Sequence, residues 1–265
     1  VEQSIKHLDF FINHIRKTRA YLDDFELNYV QLFSIGLLER LQYSSSSIKL
    51  ALQNINTNSE LEFAAGLSIR AILLDSLLVL QLYKLWKEGE ENKKTQNEME
   101  EAAQNFCKNK LADGLKTTIN FFELSRELNF IDDTLLGELY KQIVLKYPNH
   151  FTSNKETSGK PEVNFKHVTT RDLFKELAES KHTKEMSNIH QQYLFYSQYD
   201  HFGVQYFDVI NLPKDRKISQ INECIKVFII HQYLLYFFLM QFSNNNSFIL
   251  GQFEESKKYR NSYSS

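Results

Sequence analysis

Apolar residues recur at three- and four-residue intervals along most of the chain, the period of helices that each bury one face. Ile5, Leu8, Ile12, Ile15 and Leu22 mark a first amphipathic helix over residues 2–22, which Asp23 and Asp24 interrupt. A second stripe through Val30, Leu37, Leu41, Ile48, Leu52 and Ile55 predicts a helix over 27–56, with Ser34, Ser44 and Ser45 on or near its seam. Residues 60–87 differ. Their sequence, beginning LEFAAGLSIRAILLD, is apolar nearly all round, the pattern of a helix surrounded by others. Thr57 with Glu60, or Ser59 with Glu62, fits a capping box at its start, and Gly89 marks its end.

Residues 97–128 read as a helix with a break at Gly114. Residues 134–146 follow, capped by Asp132 or Asp133 and closed by Pro148. Two shorter helices are expected over 169–179 and 183–201, and a last long one over 218–242 after Pro213. Residues 149–168 form the longest expected loop, 204–212 fit either strand or loop, and the polar stretch 243–265 reads as a frayed tail. The expectation is an all-α fold with residues 1–242 as one domain. It is an up-down bundle of long helices with smaller helices packed at one end.

Composition narrows the classes. The chain has 265 residues, 42% hydrophobic, enough to fill a core. Two cysteines exclude a disulfide scaffold, and eleven Gly plus Pro argue against a turn-rich β-sandwich. The 31 Lys+Arg against 33 Asp+Glu exert no long-range pull on nucleic acid or anionic lipid, so neither is an expected partner. The run from Ile225 to Phe242 is nearly long enough to span a bilayer but carries Lys226, His231, Gln232 and Gln241, so a buried bundle helix is expected instead. No signal-peptide pattern stands at the start, which reads Val1, and a cytoplasmic setting with reduced thiols is expected.

Motifs for chemistry are scarce. Phosphate-cradling glycine loops, H-E-x-x-H, C-x-x-C and G-x-S-x-G are all missing from the sequence, and E-x-x-H does not occur twice as a di-metal bundle needs, so no metal or cofactor is expected. Two oddities remain. In HQQYLFYSQYDH, helical spacing puts His190, Tyr193, Ser197, Asp200 and His201 on one stripe, either a solvated face or the wall of a cleft. Arg70 and Asp75 lie inside the most apolar helix, about 140° apart around its axis, so each needs a partner from elsewhere. One arrangement joins the two: Arg70 or Asp75 meets Ser197, Asp200 or His201, setting an imidazole beside an acid. His231 is a third buried polar candidate.

LSIRAILLD over 67–75 and YLFYSQYDH over 193–201 resemble the two motifs of a family of uncharacterised bacterial helical domains. These carry an Arg-containing apolar helix and, about a hundred residues on, Y-x-x-x-S-x-Y-x-H. Tyr193, Ser197, Tyr199 and His201 stand at the matching places. The acid departs from the pattern: Asp75 is five residues after Arg70, where the family's acid follows by about one turn. The likeness covers roughly residues 25–242 and implies a fold and no reaction. A more distant likeness is to HEPN-type bundles, several of them ribonucleases. Their arginine is followed four to six residues on by histidine, a spacing no arginine has here.

Three functions compete. The leading one is an interaction module that binds a protein partner or a second copy of itself. The second is a hydrolase of nuclease type, with His201 as general acid or base, Asp200 or Asp75 orienting it, Arg70 countering phosphate charge and Ser197 nearby. The third is a bundle that holds a small ligand, with Tyr193, Tyr199, His190 and Tyr233 supplying polar tips.

Overall fold

The structure is a computed structural model that describes residues 1–23, 25–54, 60–151, 159–163, 169–183, 186–199, 211–244 and 246–264. Among the described residues there are nine α-helices and no strand, with one isolated antiparallel bridge between Phe151 and Val163. The all-α bundle expected from the periodicity is what the chain forms. Its contacts gather into two compact units, Val1–Lys94 with Thr170–Ser265, and Thr95–Thr169, where the pattern alone suggested one bundle over 1–242.

The first unit opens with α1 (Glu2–Leu22), which buries Leu8, Phe11, Ile12 and Ile15 together with His7, His14 and Thr18. It packs against α2 (Tyr29–Gln53). Asn28 and Gln31 form a reciprocal capping box there, each side chain bonding the other's backbone N–H at 3.0 Å. The Gln31 amide also donates to the Phe242 carbonyl at 3.0 Å.

The most apolar helix, α3 (Glu60–Glu91), follows. The capping box expected at 57–62 involves residues outside the described ones. Gly89 does not end the helix. The chain continues to Glu91, and Lys93 takes the left-handed conformation (φ 54), with the Lys94 N–H bonded to the Gly89 carbonyl at 3.0 Å.

Three more helices return to this unit after the second: α6 (Thr170–Ala178), α7 (Met186–Ser197) and α8 (Lys214–Gln241). α8 packs on α1, α2, α3 and α7. By length and composition α3 and α8 are apolar enough to cross a membrane. Yet 50% and 67% of their most apolar windows are buried inside the protein, as in core helices.

The expected frayed tail is instead α9 (Ser247–Ser264), a correction with a clear cause. Asn246 accepts from the Phe248 and Ile249 N–H groups at the helix start. Ile249, Gln252, Phe253 and Ser256 are buried, a three/four stripe inside a polar composition. Phe248 stacks on Tyr21, and Tyr259 stacks on Phe10 at a 3.7 Å ring separation and bonds His7.

The second unit is a hairpin of α4 (Gln96–Glu127) and α5 (Asp133–Lys146), closed by a single 3-10 turn at Pro148–His150. Thr95 and Glu98 form a capping box, and Asp132 caps α5 by accepting from the Leu135 N–H at 2.8 Å. Gly114 sits inside α4 without breaking it. The turn between them uses Asn129 at φ 58, with Phe130 N–H bonded to the Ser125 carbonyl at 2.8 Å. Ile119, Leu136, Tyr140 and Ile143 form a small core.

Candidate functional site

α3 and the 193–199 segment do come together, although not through the expected pairs. The Arg70 guanidinium stands 5.7 Å from the centre of the Tyr193 ring. Tyr199 donates its hydroxyl to Glu62 Oε1 at 2.8 Å, and Lys217 Nζ holds Glu62 Oε2 at 2.8 Å. The Tyr199 ring lies flush against Gly66, where an added Cβ would be 2.6 Å from ring carbons. Ser197 donates within its own helix, to the Leu194 carbonyl at 2.8 Å. His190 is exposed and sits edge-on to Phe174, which also contacts Tyr193. Asp200 and His201 lie outside the described residues.

Asp75 has its partner elsewhere among the described residues. Arg40 of α2 donates to it, Nε to Oδ2 at 2.7 Å. Of the expected meetings, that of Asp75 with Ser197 does not form: Asp75 pairs with Arg40 of α2 and Ser197 bonds within α7, while those with Asp200 or His201 fall outside the described residues. Burial raises the Asp75 pKa to about 6 even with the guanidinium beside it. One position on, Ser76 donates to the Ile72 carbonyl at 2.8 Å and lies 3.1 Å from His231 Nδ1 on α8. Burial, with Arg40 nearby, lowers the His231 pKa to about 3, so the ring is neutral.

Only a small void, about 50 Å³, adjoins Glu62, Gly66, Tyr196 and Tyr199, room for little more than water. The larger space lies further along α3. A partly open cavity of about 650 Å³ is bounded by α3, the turn between α6 and α7, α8 and the end of α9. Val79, Leu80, Ile189, Val227, Ile230 and Leu234 give it apolar walls, and Ser76 with His231 forms a polar patch on them. Lys181, Lys226 and Arg260 also line it, and none of the described lining residues is acidic.

Each cation is placed by a local contact. Glu91 pairs with Lys181 at 2.8 Å and stands 3.1 Å from His182 Nε2, holding the α6–α7 turn on the end of α3. Glu223 holds Lys226 at 2.6 Å along α8. Arg260 stands 4.4 Å from the centre of the Tyr233 ring.

Of the residues expected to act, Tyr233 and His231 reach this cavity, and Arg70, Asp75 and Ser197 do not line it. Sequence reasoning missed Lys181, His182 and Arg260. The readable signal for Arg260 was the Ile249, Phe253, Ser256 stripe, which makes residues 247–264 a helix with a buried face. Among the described residues no group of three or more His, Cys, Asp or Glu side chains is arranged to hold a metal ion. No protein-family model, curated protein or solved structure matches the chain.

Proposed function

We propose that the chain is a helical ligand-binding protein whose cavity between α3, α7 and α8 takes one small organic molecule. The volume, about 650 Å³, carries this reading. It falls in the range of small-molecule sites, and its walls combine a majority of aliphatic side chains with a few polar groups, as such sites do. The aliphatic walls of this partly open cavity face water when it is empty, and a bound molecule covers them. The buried, free Cys107 and Cys224 support a reducing, cytoplasmic setting for it.

The test is retention and competition. Native mass spectrometry of the purified chain is expected to show an added small-molecule mass, or the empty protein is expected to bind the uncharged dye N-phenyl-1-naphthylamine. Leu80→Trp, which fills the cavity from a half-buried position, abolishes binding of the dye. Dye binding that is absent, or indifferent to Leu80→Trp, contradicts the proposal.

A second reading keeps the chain an interaction module whose partner is a second copy of itself. Its support is the hairpin: Phe121, Leu124, Leu128 and Leu145 are exposed, Phe130 is 76% exposed, and the core beneath them has four buried residues. Two helices alone enclose little core, whereas two hairpins make four helices, the smallest self-enclosing helical arrangement. Light scattering is expected to give a dimer mass that Phe121→Glu halves. A monomer mass at all concentrations contradicts this.

A further inference from the structure

We infer, resting on the ligand-binding reading above, that the molecule in the cavity is uncharged and carries a hydroxyl or N–H donor on an apolar body. The apolar body follows from the aliphatic walls. The neutrality and the donor follow from the charged side chains and the buried polar side chains on the same lining.

The charged side chains are occupied where they stand. Lys181 pairs with Glu91 at 2.8 Å, Lys226 pairs with Glu223 at 2.6 Å, and Arg260 lies on the Tyr233 ring at 4.4 Å. The two lysine side chains are 66% and 48% exposed, so they belong to the mouth, where water screens each pair. An anion gains from either lysine only by competing with a glutamate already in place. A cation meets no carboxylate on the described lining. The buried part of the lining holds Val79, Val227 and Leu234 with three polar residues, Ser76, Thr183 and His231. Burial keeps His231 neutral, so none of these six compensates a charge taken out of water.

The two buried hydroxyls have already spent their protons. Ser76 donates to the Ile72 carbonyl at 2.8 Å, and Thr183 donates to the Leu177 carbonyl. His231 Nδ1 stands 3.1 Å from Ser76 Oγ, and Nε2 is buried. With the ring proton on Nδ1, the imidazole donates to Ser76. With the proton on Nε2, Nδ1 draws the Ser76 proton to itself. In both tautomers Ser76 Oγ keeps a lone pair and has no proton to offer, and Thr183 Oγ1 is in the same position. Such oxygens accept. An O–H or N–H on the ligand satisfies them, whereas an ether or ester sets lone pair against lone pair.

Three compounds on one skeleton separate the claims. 4-Butylphenol donates a hydrogen bond, 4-butylanisole only accepts, and 4-butylbenzoate is an anion at neutral pH. Each competes with N-phenyl-1-naphthylamine for the full chain, followed by dye fluorescence. The phenol is expected to compete roughly tenfold more strongly than the anisole, the size of one net hydrogen bond, and the benzoate to be the weakest of the three. Ser76→Ala is expected to cut the phenol's lead over the anisole to about threefold or less. Thr183→Val, which keeps the shape of the side chain, is expected to shrink the same lead independently. The ratio is read on one sample, so a variant that is partly unfolded still reports it.

A benzoate that competes as well as the phenol overturns the neutrality. Equal competition by phenol and anisole overturns the donor. Either result, with the dye still lost in Leu80→Trp, leaves the ligand-binding reading standing. A dye that does not bind, or that binds Leu80→Trp as well as the parent, overturns that reading and the nature of the ligand with it.

Discussion

Arg40 on α2, and not Arg70 on its own helix, is the partner of Asp75, with Nε 2.7 Å from Oδ2. The two ends differ in environment: the Asp75 side chain is 7% exposed and that of Arg40 58%. Breaking the pair from the arginine side leaves a buried carboxyl without its counter-charge. Arg40→Ala is expected to cost about 1–3 kcal/mol at pH 8, below the usual cost for a fully buried pair because Arg40 is mostly in water. At pH 5 the cost shrinks, because Asp75, with its pKa near 6, is already protonated there. Urea unfolding of both proteins at the two pH values decides it; an equal cost at both contradicts the role assigned to the pair.

Acid weakens the fold through two histidines. Burial lowers His14 to about 4 and His231 to about 3, against an unfolded value near 6.5. Below pH 6.5 the unfolded chain takes up protons that the folded chain refuses, so stability falls as pH falls, by about 1.4 kcal/mol per unit for each ring. Asp75 works the other way. Its folded pKa, about 6, exceeds its unfolded 3.8, so between those values the folded state binds the extra proton and gains. Two losses against one later gain leave a net loss of about 2–3 kcal/mol between pH 7 and pH 5. Denaturant midpoints at the two pH values measure it, and His231→Gln is expected to flatten the slope. A protein as stable at pH 5 as at pH 7 contradicts the neutral, buried rings.

Two glycines separate close approach from empty space. Gly66→Ala puts a methyl 2.6 Å from the Tyr199 ring, which is buried and bonded to Glu62, so the ring must move. The expected cost is about 1–3 kcal/mol. Gly36, inside α2, has nothing within 4 Å of an added Cβ, and Gly36→Ala is expected to stabilise by about 0.5–1 kcal/mol. Thermal melts of both variants should move in opposite directions. A Gly66→Ala protein as stable as the parent contradicts the α3–Tyr199 contact.

Helix-forming periodicity was legible wherever a stripe was long. Leu8, Ile12 and Ile15 marked α1 to its ends, and of the two cap candidates before α5, Asp132 and Asp133, the structure uses Asp132. α9 was not legible, because Ser243 to Ser247 and the charges after it hide a stripe whose Phe253 packs on Tyr233 and Phe237 of α8, while Phe248 and Tyr259 beside it reach Tyr21 and Phe10, more than 200 residues away. The polar residues inside α3 were visible as anomalies, yet which neighbour each faces depends on how helices are turned against one another. That put Asp75 against Arg40 and Ser76 against His231. The cavity had no sequence signature, since it is the space that side chains from α3, α7, α8 and α9 leave unfilled.

The most direct measurement is a set of intermolecular nuclear Overhauser contacts between N-phenyl-1-naphthylamine and the protein labelled at Ile, Leu and Val methyls. Contacts to Leu80, Ile189, Val227, Ile230 and Leu234 are expected, since these methyls wall the cavity. Contacts only to Leu124, Leu128 and Leu145 of the hairpin, or none at all, would contradict a ligand site in the bundle.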